Sequence, residues 1–272
     1  MNKREKFNQI ARDIKSIKIQ GARNIARQAL NAYSLIPTTA AKNKLLSLRP
    51  TEPLLVNVLK KATGSNTGAL IQHFDKAQEE INKLVLDLIE NGDVIYTHCH
   101  STNVVNALVY AKKKKKKFEV YNTETRPLFQ GRKTAKDLKK AKIKVTMFVD
   151  SAMDIALSDK QGTKKATKIF LGADALLAKG VINKVGSGVI AKLSKINNLP
   201  IYILADSWKY SPKEIEIEQR DFHEVWNKLS RKSEIKIRNP AFELIPRKNI
   251  KKIISELGEM NYRKFLRSAR KN

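Results

Sequence analysis

Apolar residues near the start of the chain recur every three or four positions, which is the spacing of one face of an α-helix. The stripe consists of Phe7, Ile10, Ile14 and Ile17. It breaks at Gly21, a residue that weakens a helix interior. We therefore predict a first helix that contains the whole stripe and ends before this glycine.

A longer stripe of the same spacing begins about fifty residues later. Its members are Leu70, Phe74, Ala77, Ile81, Leu84 and Leu88. Gly92 lies just beyond them, and a glycine at that point often ends a helix. Between the two stripes, Pro50 and Pro53 interrupt the pattern and predict a short helix after them.

After Gly92 the pattern changes to short runs rich in Val, Ile, Phe and Tyr. The runs are "VIYTH", "FEVYNTE", "KVTMFVD", "KIFLGAD" and "PIYILAD", with helical stretches between them. Strands that alternate with helices predict a mainly parallel sheet. A last short strand is predicted at "FELIP", followed by a C-terminal helix from Asn249 onward. The fold class is therefore α/β: an N-terminal helical domain of residues 1–90, then a Rossmann-like domain of residues 91–272.

The chain is strongly basic, with 54 lysines and arginines against 26 acidic residues and a formal net charge of +28. Such a surface attracts polyanions, which leaves two interpretations open: nucleic-acid binding, or a small phosphorylated substrate. Aromatic residues, which stack on single-stranded nucleic acids, make up only 7% of the chain. The dense run Lys112–Lys117 ends a predicted helix, where cations suit the helix dipole. We favour a solvated basic surface over specific nucleic-acid binding.

Cysteine usage and hydropathy narrow the class of protein further. The 272 residues are 42% hydrophobic and include one cysteine, which excludes an intrachain disulfide and the usual multi-cysteine zinc sites. The first ten residues lack the apolar segment of a signal peptide, and no run is long enough to span a bilayer. We expect a soluble cytoplasmic protein.

Polar residues follow the end of every predicted strand of the sheet. In chain order they are His98, Cys99 and His100; Glu124 and Arg126; Asp150; Asp174, after Gly172 and Ala173; and Asp206 and Lys209. Ligands of open parallel sheets bind beyond the carboxyl ends of the strands. A single aspartate there would be an ordinary turn residue. Polar side chains after all five strands instead predict a ligand-binding site at this edge.

Features that bind phosphate fall at the same edge. Ser101–Asn103 can cap the helix after the cysteine, and free N–H groups at a helix start bind anions. Gly186 and Gly188 in "NKVGSGVIAKL" permit close backbone approach before another helix. The nearby cations are Arg126, Lys184 and Lys209. Together they predict an anionic ligand with one or two phosphates.

Cys99 allows three interpretations. A metal site would need more ligands, and His98 and His100 cannot point where Cys99 points if the strand continues. A buried, inert cysteine is the commonest role. The third interpretation uses the surroundings: a helix N-terminus and nearby cations lower the pKa of a thiol, while a buried Asp174 would keep its proton. A thiolate facing a carboxylic acid is a base–acid pair for moving protons on a sugar.

Seven segments in order resemble one family over about residues 14 to 260. They are "IKIQGARNIA", "RPTEP", "THCHST", "TETRPLFQG", "GADALLAKGVINKVGS", "ADSWKYSP" and "NPAFELIP". The family is that of the sugar-phosphate isomerases related to the regulatory subunits of eukaryotic translation initiation factor 2B. It implies a helical N-terminal domain followed by a Rossmann-like domain.

Within the family, the chain is most similar to the archaeal ribose-1,5-bisphosphate isomerases, which form ribulose 1,5-bisphosphate in nucleotide salvage. The regulatory subunits generally lack the cysteine and carry glutamate at the position of Asp174. The methylthioribose-1-phosphate isomerases usually have "NAG" after "THC". A non-catalytic regulatory subunit and an isomerase of another pentose 1-phosphate, such as methylthioribose 1-phosphate, remain the alternatives.

The resemblance also implies roles. Cys99 would take the proton from C2 of the sugar, and Asp174 would act as the acid in ring opening and proton delivery. The implied substrate-binding residues are Gln20, Gly21, Ala22, Arg23, Arg49, Ser101, Thr102, Asn103, Asn183, Lys184 and Lys209. The supporting residues are His100, Glu124, Arg126, Gly186 and Ser187. A protonated His100 would stabilise the thiolate, and a neutral one would do little. No metal or cofactor is implied, and the expected assembly is a homo-oligomer, either a dimer or a hexamer built from dimers.

Overall fold

The helical region comes first, as predicted. The structure is a computed structural model, which describes residues 1–271. The helices before the first strand are α1 (Lys3–Lys15), α2 (Ala22–Leu35), α3 (Thr39–Leu48), α4 (Pro53–Lys61) and α5 (Thr67–Leu88). The prediction that the first helix contains Ile17 is wrong, because α1 ends at Lys15 and Ile17 has a φ of +63°.

Helices α1 to α4 and the first half of α5 share one apolar core. Its fully buried members include Ile14, Ile25, Leu30, Leu45, Leu55 and Leu59. The short helix predicted after the two prolines is α4, which begins at Pro53. Proline suits this first position, because a helix start has no internal acceptor for the missing N–H.

Helix α5 joins two cores. Phe74 in its first half packs with the other helices, whereas Ile81 and Val85 pack against the sheet. The prediction that Gly92 caps this helix is wrong: α5 ends at Leu88, and Gly92 lies in the next turn with its N–H donated to the Lys117 carbonyl at 2.7 Å. The domain boundary at residues 90 and 91 stays a prediction, because α5 contributes to both cores.

Every strand of the predicted parallel sheet is present. The strands are β1 (Asp93–Thr97), β2 (Phe118–Thr123), β3 (Lys144–Phe148), β4 (Lys168–Leu171), β5 (Ala175–Leu177), β6 (Gly180–Lys184), β7 (Ile201–Leu204), β8 (Phe242–Pro246), β9 (Lys252–Ser255) and β10 (Gly258–Met260). The remaining helices are α6 (Thr102–Lys113), α7 (Gln130–Lys140), α8 (Met153–Leu157), α9 (Ser187–Ile196) and α10 (Tyr262–Ala269). Within residues 1–271, seven strands form one sheet in the order β10-β9-β7-β4-β1-β2-β3, parallel except for β10. This confirms the α/β fold class.

The C-terminal part differs from the prediction. The "FELIP" strand exists as β8, but it pairs with β6 in a separate antiparallel sheet, β5-β6-β8. The helix predicted from Asn249 onward is wrong: β9 and β10 come first, and α10 begins only at Tyr262. Ile253 and Ile254 are buried on the two faces of β9, which extends the sheet beside β7. Short apolar runs do not distinguish such a strand from a helix.

The strand order places β1 and β4 at the point where the direction of winding reverses. From β1 the chain proceeds outward to β2 and β3, while β4 pairs on the other side of β1 and leads to β7. Ligands of open α/β sheets bind at such a switch point. No helix within residues 1–271 combines the length and the apolar character needed to cross a membrane.

Candidate active site

A cavity of about 800 Å³ lies beyond the carboxyl ends of β1 and β4 and is closed on its other side by the start of α2. The predicted residues that line it are Gln20, Gly21, Ala22, Arg23, Arg49, Cys99, His100, Ser101, Thr102, Asn103, Asp174, Asn183, Lys184 and Lys209. The structure therefore brings together both residues predicted as catalytic and all those predicted to bind the substrate. Cys99 follows β1 and Asp174 follows β4, which are hydrogen-bonded neighbours.

The backbone of Cys99 adopts an unusual conformation. Its φ is +64°, a region that non-glycine residues rarely enter and that is found at functional sites. Two hydroxyl groups hold it there: the Cys99 N–H donates to Thr125 Oγ1 at 3.0 Å, and Thr134 Oγ1 donates to the Cys99 carbonyl at 2.8 Å. This turn ends the strand and presents Cys99 to the cavity.

The thiol itself departs from the sequence-based expectation. Burial, and to a smaller extent the charge of Asp174, raise the pKa of Cys99 to about 12. The backbone N–H of His100 and the charge of Lys184 oppose this increase but are weaker. The expectation of a lowered thiol pKa was therefore wrong, because the cost of removing a thiolate from water exceeds the benefit of the neighbouring cations.

The pKa of Asp174 is shifted in the expected direction. Its backbone N–H donates to the Ile182 carbonyl at 2.9 Å, which fixes the turn after β4. Burial raises the pKa of Asp174, against the charges of Lys209, Lys184 and Arg49. A half-buried carboxyl with a raised pKa can serve as a proton donor.

Lys209 supports the turn that carries Asp174. Its Nζ donates to the Ala173 carbonyl at 2.6 Å, and the side chain is buried. Burial lowers the pKa of Lys209, while the charges of Asp174 and Asp206 raise it. A buried cation at this point can contact a bound anion in a medium of low dielectric constant, where the attraction is strong.

The start of α6 lies close to the turn that follows β4, residues 172–174. The Ser101 hydroxyl accepts from the Val104 N–H and caps the helix. A Cβ atom added to Gly172 would lie 2.5 Å from Ser101 Oγ, so only glycine allows this approach. The first turn of α6 therefore reaches the cavity beside Cys99.

A hydrogen-bond network joins the helical region to this wall. Arg23 donates to Gln78 Oε1 at 2.9 Å, and the Asn103 side chain donates to the same oxygen at 3.1 Å. Arg23 also pairs with Asp75 at 2.8 Å. Gln78 and Asp75 were missed in the sequence, because they lie on a helix whose apolar stripe gave the visible signal.

Arg49 already binds two carboxylates of the protein, which the sequence did not predict. One guanidinium nitrogen, Nη2, donates to Glu52 Oε1 at 3.2 Å and to Glu218 Oε2 at 2.7 Å. Two carboxylates therefore share its charge before any ligand binds. Glu52, which also lines the cavity, was missed because a carboxylate is not expected among phosphate-binding groups.

Four of the predicted supporting residues do not line the cavity. Glu124 pairs with Arg132 at 2.8 Å, and Arg126 donates from Nη2 to the Val225 carbonyl at 3.1 Å. Ser187 lies behind the wall, where its hydroxyl accepts from the Asn183 side chain at 2.9 Å and donates to the Lys184 carbonyl at 2.7 Å. Ser187 can therefore position those two lining residues.

The fourth residue, Gly186, corrects the prediction of an anion site at the start of α9. The N–H groups of Gly186 and Gly188 both donate to Oε1 of Glu243, which comes from β8. The protein's own carboxylate therefore occupies this helix start. Glu243 could not be found from sequence spacing, because β8 is more than fifty residues away along the chain.

The metal interpretation of Cys99 is not supported by the arrangement of side chains. In the part of the chain that the structure describes, the acidic, cysteine and histidine groups close enough to share an ion are His73, Asp206 and Glu256. His98 instead bonds to Thr123 Oγ1 and to the Val185 carbonyl. Its Nε2 must donate to that carbonyl, which leaves Nδ1 as the acceptor.

His100 is neutral at physiological pH. Burial, and to a smaller extent the charge of Lys133, lower its pKa to about 4. Thr134 Oγ1 uses its proton on the Cys99 carbonyl, so it can only accept from His100 Nδ1, which lies 3.0 Å away. Of the two states considered from the sequence, the neutral one applies, and His100 provides little stabilisation of a thiolate.

Acidification is expected to destabilise the fold through His100. The lowered pKa means that the unfolded chain binds this proton first, so stability is lost as the pH falls from about 6.5 toward 4. We expect the wild-type free energy of unfolding to fall by about 2 kcal/mol more than that of His100→Asn between about pH 7 and pH 4.5, after allowance for partial exposure. Urea titrations of both proteins at the two pH values test this. Equal losses would contradict it.

Comparisons with known proteins identify the family of this chain. The sequence profile of the initiation factor 2 subunit family matches residues 41–262. A protein of Methanocaldococcus jannaschii named ribose 1,5-bisphosphate isomerase is 36% identical over 277 residues, which cover 90% of this chain and 88% of that protein. A protein of the same name from Archaeoglobus fulgidus is 31% identical over 285 residues, with 93% and 89% covered.

Among solved structures, a translation initiation factor eIF-2B of Pyrococcus horikoshii OT3 superposes with a TM-score of 0.83. It is 25% identical, and the match covers 94% of this chain and 97% of that one. Both the sequence and the fold therefore lead to one group of proteins. The chain belongs to the initiation factor 2 subunit family.

Proposed function

We propose that this protein is an aldose–ketose isomerase that converts ribose 1,5-bisphosphate to ribulose 1,5-bisphosphate. The observation that carries the proposal is the placement of Cys99 and Asp174 on neighbouring strand ends in one cavity lined by basic residues. The names of the relatives from M. jannaschii and A. fulgidus, which are more than 30% identical, support the same substrate.

The proposed reaction needs two proton donors and acceptors. The Cys99 thiolate removes the proton from C2 while the Asp174 carboxylic acid protonates the ring oxygen, and the bond from that oxygen to C1 breaks. The Asp174 carboxylate then accepts the proton of the C2 hydroxyl, and the Cys99 thiol donates to C1. Both residues return to their starting states, and the sum is an isomerisation without any oxidant or cofactor.

The raised thiol pKa has a consequence for this cycle. A thiol with a pKa of about 12 is rarely ionised at neutral pH, but its thiolate is a strong base. Lys184 is the cation best placed to stabilise that thiolate. Burial lowers the pKa of Lys184, and the charge of Cys99 raises it. Positioning of the sugar against the pair supplies the remainder of the rate enhancement.

Basic side chains on two sides of the cavity fit a substrate with a phosphate at each end. Arg23 and Arg27 lie on the α2 side, and Lys184 and Lys209 lie on the sheet side. A bisphosphate carries up to about four negative charges, which such a cavity can balance. The substrate-binding roles given above to the lining residues form part of this proposal.

The substrate assignment is tested by phosphorus NMR with a panel of sugars. Purified protein is incubated separately with ribose 1,5-bisphosphate, ribose 1-phosphate, methylthioribose 1-phosphate and ribose 5-phosphate. We expect a kcat/KM for the bisphosphate at least about a hundredfold above the others, because each missing phosphate loses charge-assisted bonds. Turnover of methylthioribose 1-phosphate alone would assign the other isomerase activity, and no turnover of any sugar would refute catalysis.

A second candidate is a non-catalytic regulatory subunit, which the likeness to the eIF-2B structure favours. It predicts that the protein binds initiation factor 2 and that Cys99→Ser leaves this binding unchanged. The isomerase predicts no such binding and a loss of turnover in the same variant. The homo-oligomeric assembly, the cytoplasmic location and the absence of specific nucleic-acid binding stay predictions.

A further inference from the structure

Glu52 is an acidic group in the wall of a cavity otherwise suited to anions. It precedes α4 at the N-cap position, lines the cavity, and its side chain is 5% exposed. Oε1 accepts from Arg49 Nη2 at 3.2 Å. Oε2 is also buried and has no hydrogen-bond partner within the described part of the chain. The proposed mechanism does not use this carboxyl.

A buried oxygen without a partner is costly, and native proteins usually satisfy such groups. Arg49 cannot satisfy it fully, because the same nitrogen also serves Glu218. Burial, and to a smaller extent the charge of Asp174, raise the pKa of Glu52 to about 7. The group therefore changes easily between an acceptor and a donor, and either form needs a partner.

The chemistry of a phosphorylated pentose limits what that partner can be. A carboxylate repels phosphate oxygens, so Glu52 is unsuited to either end of a bisphosphate. The groups between the phosphates are the ring oxygen and the hydroxyls on C2 and C3. A hydroxyl both donates and accepts, so it matches either protonation state of the carboxyl. The last torsion of a glutamate side chain is broad, so a small rotation can turn Oε2 toward a ligand.

We propose that Glu52 binds a secondary hydroxyl of the pentose and selects sugars that carry it. This inference rests on the proposed function, because it places a phosphosugar in the cavity. Glu52 then acts as a specificity-determining residue, and Arg49 holds its carboxyl in place. The competing explanation is that Glu52 only balances the charge of Arg49, as Glu218 does from outside the cavity lining.

Binding of deoxy sugars to a variant that does not turn them over tests the contact. Cys99→Ser serves as the parent, and calorimetry measures the Kd of ribose 1,5-bisphosphate and of its 2-deoxy and 3-deoxy analogues. The same three ligands are then titrated into the parent carrying Glu52→Ala, Glu52→Gln or Glu218→Gln. Glu218→Gln is the matched control, because it removes one negative charge beside Arg49 without altering the cavity lining.

In the parent, we expect one deoxy analogue to bind about 10 to 100 times more weakly than the full sugar, as for a hydrogen bond to a charged group. The ratio of the Kd of that analogue to the Kd of the full sugar is the quantity compared. Glu52→Ala is expected to reduce this ratio to less than about three, and Glu52→Gln to reduce it by at least about threefold. Glu218→Gln is expected to retain the full ratio.

An unchanged ratio in both Glu52 variants would refute the contact while leaving the isomerase proposal intact. Loss of the ratio in Glu218→Gln as well would show that the effect passes through Arg49, which also refutes direct binding. If Glu52→Ala does not fold, Glu52→Gln decides alone, because it keeps the size of the side chain. Failure of the parent to bind ribose 1,5-bisphosphate at all would refute the proposed function, and the inference with it.

Discussion

Replacement of Cys99 by serine is expected to lower the kcat for ribose 1,5-bisphosphate by at least about a hundredfold, the smallest contribution typical of a positioned proton-transfer group. Serine keeps the shape of the side chain, but its hydroxyl is a far weaker acid than the thiol. The KM is expected to change little, because the phosphate-binding cations are untouched. A coupled assay of ribulose 1,5-bisphosphate formation measures both constants.

The kcat of Asp174→Asn is the second measurement for this prediction. It keeps the size of the side chain and removes its exchangeable acid, so a loss of similar size is expected. Because the pKa of Asp174 is raised in the folded protein, an amide of the same size in its place should leave the free energy of unfolding unchanged or increase it. A folded Cys99→Ser protein with wild-type kcat would exclude Cys99 as the base.

Replacement of Lys209 by methionine is expected to lower kcat/KM by about a hundredfold. The buried ammonium donates to the Ala173 carbonyl and lies among the charges of Asp174 and Asp206. Its removal takes away a cation for the substrate and a hydrogen bond that holds the Asp174 turn, and loss of one buried charged partner costs about 2 to 5 kcal/mol. Both KM and kcat are expected to change.

A surface lysine is the control for Lys209. Lys179 pairs with Glu214 at 2.7 Å and its side chain is 47% exposed, so Lys179→Met removes the same charge from outside the cavity. We expect its kcat/KM to stay within about twofold of wild type, since exposed charges act only weakly. Equal losses in both variants would mean that the effect of Lys209 is one of general electrostatic attraction.

The fold was predicted correctly where the hydrophobic pattern of a segment was clear. Five apolar runs after residue 92 became parallel strands, because β-branched residues between turns have few alternatives. The pattern did not predict β5, β6, β9 or β10. Ile253 and Ile254 form a strand because β7 offers a free edge beside them, and that edge is a tertiary feature that no local pattern contains.

The site was predicted from the same rule about strand ends. Cys99 and Asp174 were expected together because they follow parallel strands, and the pairing of β1 with β4 places them side by side. The acidic groups were missed for a physical reason. Glu52 and Glu243 reach the wall and the start of α9 through tertiary contacts, and the net charge of the chain suggested only cations there.

The thiol pKa shows the limit of reasoning from neighbours in sequence. Cations and a helix start near Cys99 predicted a stabilised thiolate, yet burial outweighs both. Desolvation depends on how completely the cavity encloses the sulfur, which the sequence does not contain. The same enclosure raises the pKa of Asp174 and keeps His100 neutral.

The central claim is that Cys99 moves the hydrogen of C2 to C1 as a proton, while Asp174 moves protons to and from the sugar oxygens. It is tested most directly by running the reaction in deuterium oxide and following the product by proton NMR. A thiol that exchanges with solvent during the cycle would place deuterium on C1 of ribulose 1,5-bisphosphate, and Cys99→Ser would form no product on the same timescale. Full retention of the C2 hydrogen at C1, together with normal turnover by Cys99→Ser, would contradict the account.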